Sequence, residues 1–189
     1  MESALISAGN TVWLLPGNIS VVSVLVSVLR KRDNVLLGLR DRDFLTDEEV
    51  NKLTKLFPNY KILRYYCFEN YLYHPDNISE IGLANFDKEV YKNEILAIKN
   101  RQFSTLIQKV SESRKSYEEF RDGGIKQGTD VGKITEALQS DVFEVFYPFL
   151  NFKDFCGTLI NKYRIDKKEE KEKLIQTNWF KNQLKNVLS

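Results

Sequence analysis

The pattern of apolar and polar residues divides the chain into an α/β first part and a helical second part. Up to about residue 76, short apolar runs typical of strands alternate with segments of helical period. The order of strand, helix, strand, helix and strand is the crossover pattern of a parallel sheet with right-handed connections. The predicted strands are Thr11–Leu15, Val35–Leu39 and 61–68, and the predicted helices are 18–32 and Thr46–Phe57.

Two of these segments carry specific local signals. Val35–Leu39 is continuously apolar, which is typical of a central parallel strand covered on both faces. Thr46 and Glu49 form the capping-box pattern that opens a helix. We therefore expect a half Rossmann-like parallel sheet as the core of residues 1–78.

Beyond residue 78 the strand signals disappear. Apolar residues recur every three or four positions over 86–120, which predicts one long helix or two in series. The glycines of Asp122–Gly124 end this pattern, and Gly128–Gly132 reads as a polar loop. Further helices are predicted over about 133–146, 152–163 and 168–187. Residues 79–189 are therefore expected to form a mostly helical subdomain packed on the core.

Composition narrows the class of protein without naming a function. Of the 189 residues 42% are hydrophobic, which excludes wholesale disorder, and 28 Lys and Arg against 26 Asp and Glu leave a net charge of +2. That balance neither indicates nor excludes nucleic acid as a partner. The two distant cysteines, Cys67 and Cys156, are typical of reduced, buried thiols in an intracellular protein. The apolar run 19–29 is too short to span a membrane, so we expect a cytoplasmic protein with no membrane contact.

A pair of carboxylates directly follows the buried strand. In an extended chain Asp41 and Asp43 point to one face and Arg42 points to the other. They come at the carboxyl end of a predicted central strand, where open α/β sheets place their ligands, and two carboxylates on one face suit a hard divalent cation. The alternative is an ordinary loop in which Asp43 forms a salt bridge with Arg40 or Arg42.

Glu69 adds a third carboxylate to the same edge. It falls at the end of the next predicted strand, and adjacent parallel strands lie only about 4.8 Å apart. If the two strands are neighbours, Glu69 lies close to Asp41 and Asp43. The alternative role for Glu69 is to cap the following turn.

Two motifs together resemble a known family. Val35–Phe44, with its strand followed by Asp-Arg-Asp, and Glu69–Leu72, with the sequence Glu-Asn-Tyr-Leu, resemble the Toprim-related domain of unknown function that occurs beside or fused to AAA and ABC-type ATPases. The chain is similar in this way to the catalytic domain of the OLD-family nucleases. The resemblance covers residues 11–78. It implies a Toprim-like fold, Mg²⁺ or Mn²⁺ as cofactor, cleavage of DNA or RNA, a partner or fused ATPase, and a setting in anti-phage defence.

The resemblance also assigns roles, and the chain departs from the family pattern in two places. Asp41 and Asp43 would be metal ligands, and Glu69 would be a further ligand and catalytic acidic group. Where the family carries a glutamate after its first strand, this chain has Pro16-Gly17-Asn18, and where the family tends to carry Gly-Lys it has Gly157-Thr158. The alternative function is therefore a catalytically degenerate Toprim-like module that docks on or regulates an ATPase. A homo-oligomer is compatible with either function.

Basic residues supply candidate contacts to phosphate. Within 96–116 five basic residues stand against Glu112 alone, a local net charge of +4, and such patches attract phosphate backbones. The alternative is a solvated helix face. The candidates are Lys99, Arg101, Lys109, Arg114 and Lys115, together with Lys153.

Three other features are expected to be mainly structural. The turn at Gly17 and Asn18 is a secondary candidate for phosphate binding, against a plain strand-to-helix turn. Four tyrosines offer rings for stacking on bases, but packing of the sheet is the expected role. His74, the single histidine, is expected at the surface at the start of a helix. The four tyrosines are Tyr65, Tyr66, Tyr71 and Tyr73.

Overall fold

The computed structural model describes residues 4–7, 10–13, 38–58, 60–116 and 127–188. The chain divides into two compact units. The first consists of Met1–Arg40 and Asp47–Ile62, and the second of Asp41–Thr46 and Leu63–Ser189. This division differs from the predicted boundary at residue 78, because residues 63–78 and the loop 41–46 pack with the helices of the second unit.

The first unit contains an antiparallel strand pair. Strand β1 (Ala4–Ser7) pairs with β2 (Asn10–Trp13), with Ala4 opposite Trp13. The strand predicted at Thr11–Leu15 is confirmed for Thr11–Trp13, but its partner among the described residues is antiparallel rather than parallel. Only two residues separate the strands in sequence, whereas parallel neighbours need a crossover of a dozen or more.

The first unit also contains the expected parallel crossover. Strand β3 (Gly38–Arg40) pairs in parallel with β4 (Tyr60–Ile62), with Leu39 opposite Lys61. Helix α1 (Asp47–Leu56) lies between them in the chain and confirms the helix predicted over Thr46–Phe57. Its acidic first turn and its basic Lys55 in the last turn both suit the helix dipole. The order strand, helix, parallel strand is the α/β element of the fold.

Strand β4 ends earlier than its sequence predicts. The apolar run 61–68 indicates a strand, but pairing stops at Ile62, and helix α2 (Phe68–Leu72) begins six residues later. The amide of Arg64 donates to the hydroxyl of Tyr71 at 2.6 Å rather than to a strand. Side-chain hydrogen bonds therefore replace sheet pairing in this segment.

The second unit is helical. The helical period predicted over 86–120 is confirmed, and of the two alternatives, one long helix or two in series, the structure has two helices, α4 and α5. None of the helices in the described ranges is long and apolar enough to cross a membrane. The helices are α3 (Pro75–Glu80), α4 (Lys88–Arg101), α5 (Phe103–Ser116), α6 (Gln127–Gln139), α7 (Phe143–Phe146), α8 (Phe152–Phe155), α9 (Gly157–Lys162), α10 (Lys168–Leu174) and α11 (Asn178–Leu188), with a 3₁₀ turn at Tyr147–Phe149.

Helix boundaries in the second unit differ from the prediction in several places. The predicted loop Gly128–Gly132 lies inside α6, which ends at Gln139 rather than near residue 146. The helix predicted over 152–163 is divided at Cys156, and the one predicted over 168–187 is divided at 175–177. The apolar period does not reveal such breaks, because the helices on both sides of a break each keep a buried face.

The core of the second unit is aromatic. Tyr71, Tyr91 and Tyr147 are fully buried, which confirms packing as the role of Tyr71. The expectation that His74 lies at the surface is wrong: it is buried and its ring stacks on Trp179 with centroids 4.4 Å apart. Its Nδ1 accepts a hydrogen bond from the Asp76 amide at 3.2 Å and so caps α3. Tyr65 and Tyr73 are buried as well.

Some predictions fall on residues outside the described ranges. These are the helix over 18–32, the strand residues 35–37, the turn at Gly17 and Asn18, and the segment 122–126.

Candidate functional site

The loop 41–46, which carries two of the predicted ligands, is held against the segment 64–68. The amide of Asp43 donates to the carbonyl of Tyr66 at 2.9 Å, and the Arg42 Nη1 donates to the carbonyl of Arg64 at 3.0 Å. The amide of Phe68, the first residue of α2, donates to the Asp41 carboxylate. The loop is therefore fixed next to the helix that carries Glu69.

The exposure of the side chains alternates along the loop, although the backbone at Asp43 is not extended as the prediction assumed. Arg42 is buried, whereas Asp41 is exposed and Asp43 is partly exposed. Asp43 has a φ of 53°, a left-handed conformation that aspartate adopts more readily than most residues. The two carboxylates therefore face outward from the loop while the guanidinium between them points into the protein.

Asp41, Asp43 and Glu69 form one electrostatic cluster. Partial burial, which removes water from the carboxylate, is the main cause that raises the pKa of Asp41 to about 6, and the negative charges of Asp43 and Glu69 add to it. The Phe68 amide and the ammonium of Lys153 act in the opposite direction. Because the Asp41 side chain keeps contact with water, solvent moderates this shift, and its upward direction is the informative part. Asp43 and Glu69 are thus each close enough to Asp41 to repel its charge.

The donor set suits a water-rich cation site better than a closed one. Among the described residues, no group of three or more His, Cys, Asp or Glu side chains is already arranged to hold a metal ion. Mg²⁺ commonly keeps several waters and binds through only one or two carboxylates. Two carboxylates of the cluster would fit that requirement, and their mutual repulsion is what a divalent cation relieves.

The basic candidates occupy different environments. Arg101, Lys115 and Lys153 are exposed. Lys153 lies beside the acidic cluster, with its Nζ 3.9 Å from the Glu69 Oε1 and 69% of its side chain exposed. Lys109 forms a 2.5 Å ion pair with Asp154, so its charge is largely compensated.

Two of the basic candidates do not face solvent. Lys99 is fully buried, and its Nζ donates to the carbonyl of Ser140 at 2.7 Å. Arg114 is also buried, and its Nη1 donates to the carbonyl of Phe44 at 2.6 Å. The predicted phosphate contacts of Lys99 and Arg114 are therefore corrected: these side chains bind main-chain carbonyls inside the second unit.

The structure gives two residues places at the site that the sequence did not predict. Arg114 contacts the carboxylate-bearing loop from 70 positions away, which no local pattern signals. Cys67 is a free, buried thiol beside Glu69, as expected for a reduced cysteine, and burial together with the charges of Glu69 and Asp41 raises the pKa of its thiol well above the usual value. Cys67 is therefore a neutral neighbour of the cluster rather than a nucleophile.

Comparison of the chain with protein-family models, with curated proteins and with solved structures finds no match. The Toprim-like interpretation therefore stays a prediction from two motifs. What bears on function is the cluster of Asp41, Asp43 and Glu69 with the exposed Lys153 beside it.

Proposed function

We propose that this chain is a metal-dependent phosphodiesterase that cleaves nucleic acid, with Asp41, Asp43 and Glu69 as its acidic site. The observation that carries the proposal is the proximity of Asp43 and Glu69 to Asp41, because their negative charges add to the effect of burial in raising the pKa of the Asp41 carboxyl. Carboxylates gathered at one exposed place are unfavourable in themselves and become favourable when a divalent cation is bound. The separate origin of the residues, a loop and a helix 26 positions apart, favours a functional reason for their proximity.

In this proposal Asp41 and Asp43 hold Mg²⁺ or Mn²⁺, and Glu69 is a further ligand or accepts a proton from the attacking water. A bound divalent ion would polarise the scissile phosphate and lower the pKa of a water. The chain itself contributes the fixed loop that carries Asp41 and Asp43. It also contributes Lys153, whose exposed ammonium beside Glu69 would contact a phosphate oxygen.

The proposed fold is a Toprim-like core, supported by the parallel pair β3–β4 with α1 between its strands. By the same resemblance, the proposed setting is anti-phage defence together with a partner or fused AAA or ABC-type ATPase. DNA and RNA are equally compatible as substrates, because phosphate contacts carry no base information.

A non-catalytic docking module is the second candidate. It is favoured by the lack of a ready three-residue metal group in the described ranges. It is also favoured by Pro16-Gly17-Asn18, which contains no acidic residue. In this alternative the acidic cluster would contact a partner ATPase.

Cleavage of single- and double-stranded DNA and RNA by the full chain, with Mg²⁺ or Mn²⁺ and with EDTA, tests the proposal. We expect metal-dependent cleavage that Asp43→Asn and Glu69→Gln abolish, whereas the matched control Glu136→Gln, an exposed residue on α6, retains it. Absence of cleavage by the wild type, both alone and with the purified ATPase, would contradict the nuclease and favour the docking module.

A further inference from the structure

Two buried arginines hold the loop that carries Asp41 and Asp43. The Nε of Arg42 donates to the carbonyl of Leu45 at 2.8 Å and closes the loop on itself. The Nη1 of Arg114, on α5, donates to the carbonyl of Phe44 at 2.6 Å. Both side chains are 4% exposed. Two consecutive carbonyls directly after Asp43 are therefore fixed by charged donors.

The loop needs such support because of its backbone conformation. Asp43 is in the left-handed region, with a φ of 53°. Residues other than glycine persist there when the surrounding structure holds them. The amide of Asp43 and the amide of Leu45 make one backbone hydrogen bond each, to Tyr66 and to Arg42. The arginine contacts fix the carbonyl side of the same short segment.

We infer that Arg42 and Arg114 act as a clamp that positions the acidic cluster, with Arg114 linking the cluster to helix α5. The role of the clamp in catalysis rests on the proposed function. The fixing of the loop by Arg42 and Arg114 does not depend on it. Both residues are positioning residues, since they act through the loop backbone rather than on a ligand. Arginine suits this role because its guanidinium is permanently charged and offers several donors in a rigid plane.

Arg42 also makes contacts outside the loop. The second donor of Arg42, Nη1, bonds to the carbonyl of Arg64 at 3.0 Å, and the guanidinium lies 4.5 Å from the centre of the Phe149 ring. Arg42 thus joins the loop to two other segments of the second unit. Loss of groups that orient ligands typically reduces metal affinity by about 10–100-fold, and we expect an effect of that size here.

The test compares Arg114→Met, which keeps the apolar stem and removes the donors, with Arg114→Lys and with the control Lys185→Met. Lys185 is an exposed residue on helix α11, and its substitution removes the same charge. Two quantities are measured on the full chain: hydrogen exchange at the Asp43 and Leu45 amides, with the helical amides of Tyr91 and Ile95 as reference, and the affinity for Mn²⁺ alone.

We expect Arg114→Met to accelerate exchange at Asp43 and Leu45 at least tenfold relative to Tyr91 and Ile95, and to weaken Mn²⁺ binding by about 10–100-fold. Arg114→Lys should recover part of both effects, and Lys185→Met should match the wild type. Unchanged exchange at Asp43 and Leu45 in a folded Arg114→Met protein would overturn the clamp.

The remaining outcomes are also decisive. If Arg114→Met fails to fold, Arg42→Lys is measured in the same way. One ammonium cannot replace both donors that Arg42 directs to the carbonyls of Leu45 and Arg64, so unchanged exchange in a folded Arg42→Lys protein overturns the clamp. If the wild type binds no Mn²⁺, the proposed function is contradicted, and local exchange alone then supports or rejects the clamp.

Discussion

Asn70 and Tyr147 bind each other in both directions. The side-chain amide of Asn70 donates to the Tyr147 carbonyl at 3.3 Å, and the Tyr147 hydroxyl donates to the Asn70 carbonyl at 2.8 Å. The same amide donates to the carbonyl of Leu150 at 2.9 Å, while the Cys67 thiol donates to the Asn70 Oδ1. Asn70 is completely buried. The residue next to Glu69 is thus a structural anchor that fixes α2 to the segment 147–150.

Replacing this anchor by aspartate should destabilise the protein strongly. Asn70→Asp leaves the carbonyls of Tyr147 and Leu150 without their donor and buries a charge, so we expect a loss of about 3 kcal/mol in the free energy of unfolding. Urea denaturation measures it. The control Asn93→Asp makes the same change at an exposed position of α4 and should stay within about 0.5 kcal/mol of the wild type. Equal effects of both variants would contradict the anchoring role.

The second prediction concerns the charge on Asp41. Asp43→Asn should lower the pKa of Asp41 from about 6 toward 3.8, because one of the repelling charges is removed. Asparagine tolerates the left-handed backbone at position 43, so the loop is expected to be retained. The measurement is a titration of the Asp41 carboxyl carbon by NMR. An Asp41 pKa that does not fall would show that Asp43 is too distant to matter.

The same pKa shift predicts a pH dependence of stability. A carboxyl group with a raised pKa in the folded state holds its proton more tightly there than when unfolded, so stability falls as pH rises from about 4 through about 6. Asp41→Asn should remove this penalty and stabilise the metal-free protein at pH 7 by about 1 kcal/mol, a value reduced for the exposure of Asp41. The expected rise in Tm is about 2–4 °C at pH 7, with a smaller rise at pH 4.

The buried His74 predicts a second pH dependence, in which the stability of the protein falls as the pH decreases. Burial lowers the pKa of His74 well below 6.5, and its Nδ1 must stay unprotonated to accept from Asp76. The stability that neutral His74 provides is present above pH 6.5 and is lost progressively as the pH falls below it, by about 2 kcal/mol between pH 6.5 and 5. His74→Asn keeps a capping acceptor but cannot be protonated. Urea midpoints at pH 7.5 and 5 should therefore differ less for the variant, and an identical difference would contradict this role.

Nucleic-acid binding should depend on exposed lysines and not on buried ones. We expect Lys115→Gln and Lys153→Gln each to weaken binding of a labelled single-stranded oligonucleotide. Each should also reduce the salt slope, which is the slope of the logarithm of the binding constant against the logarithm of the salt concentration, by about one, the contribution of one phosphate contact. Lys99→Met should leave the salt slope unchanged and affect stability instead, because the Lys99 ammonium is bound to Ser140. Fluorescence anisotropy at several salt concentrations measures both quantities. An equal change of slope for all three variants would indicate a general effect of net charge.

The sequence by itself determined the features that depend on local pattern. The continuous apolar run before Asp41 and the capping-box pattern at Thr46 predicted the parallel strands β3 and β4 with α1 between them. The apolar period over 86–120 predicted helical structure where α4 and α5 lie. The sequence Asp41-Arg42-Asp43 predicted that the two carboxylates lie on the side opposite the arginine. Such features are readable because neighbouring residues set both the period of an element and its buried face.

Tertiary structure alone decided the features that depend on distant partners. Arg114 and Lys115 are adjacent basic residues, yet one is buried on the Phe44 carbonyl and the other is exposed, because only Arg114 lies on the face of α5 that meets the loop. The predicted strand 61–68 pairs only as far as Ile62, and the amide of Arg64 donates to the Tyr71 hydroxyl of the following helix instead. A long polar side chain is stable inside a protein only where donors and acceptors from elsewhere in the chain satisfy it, and no local pattern specifies those partners.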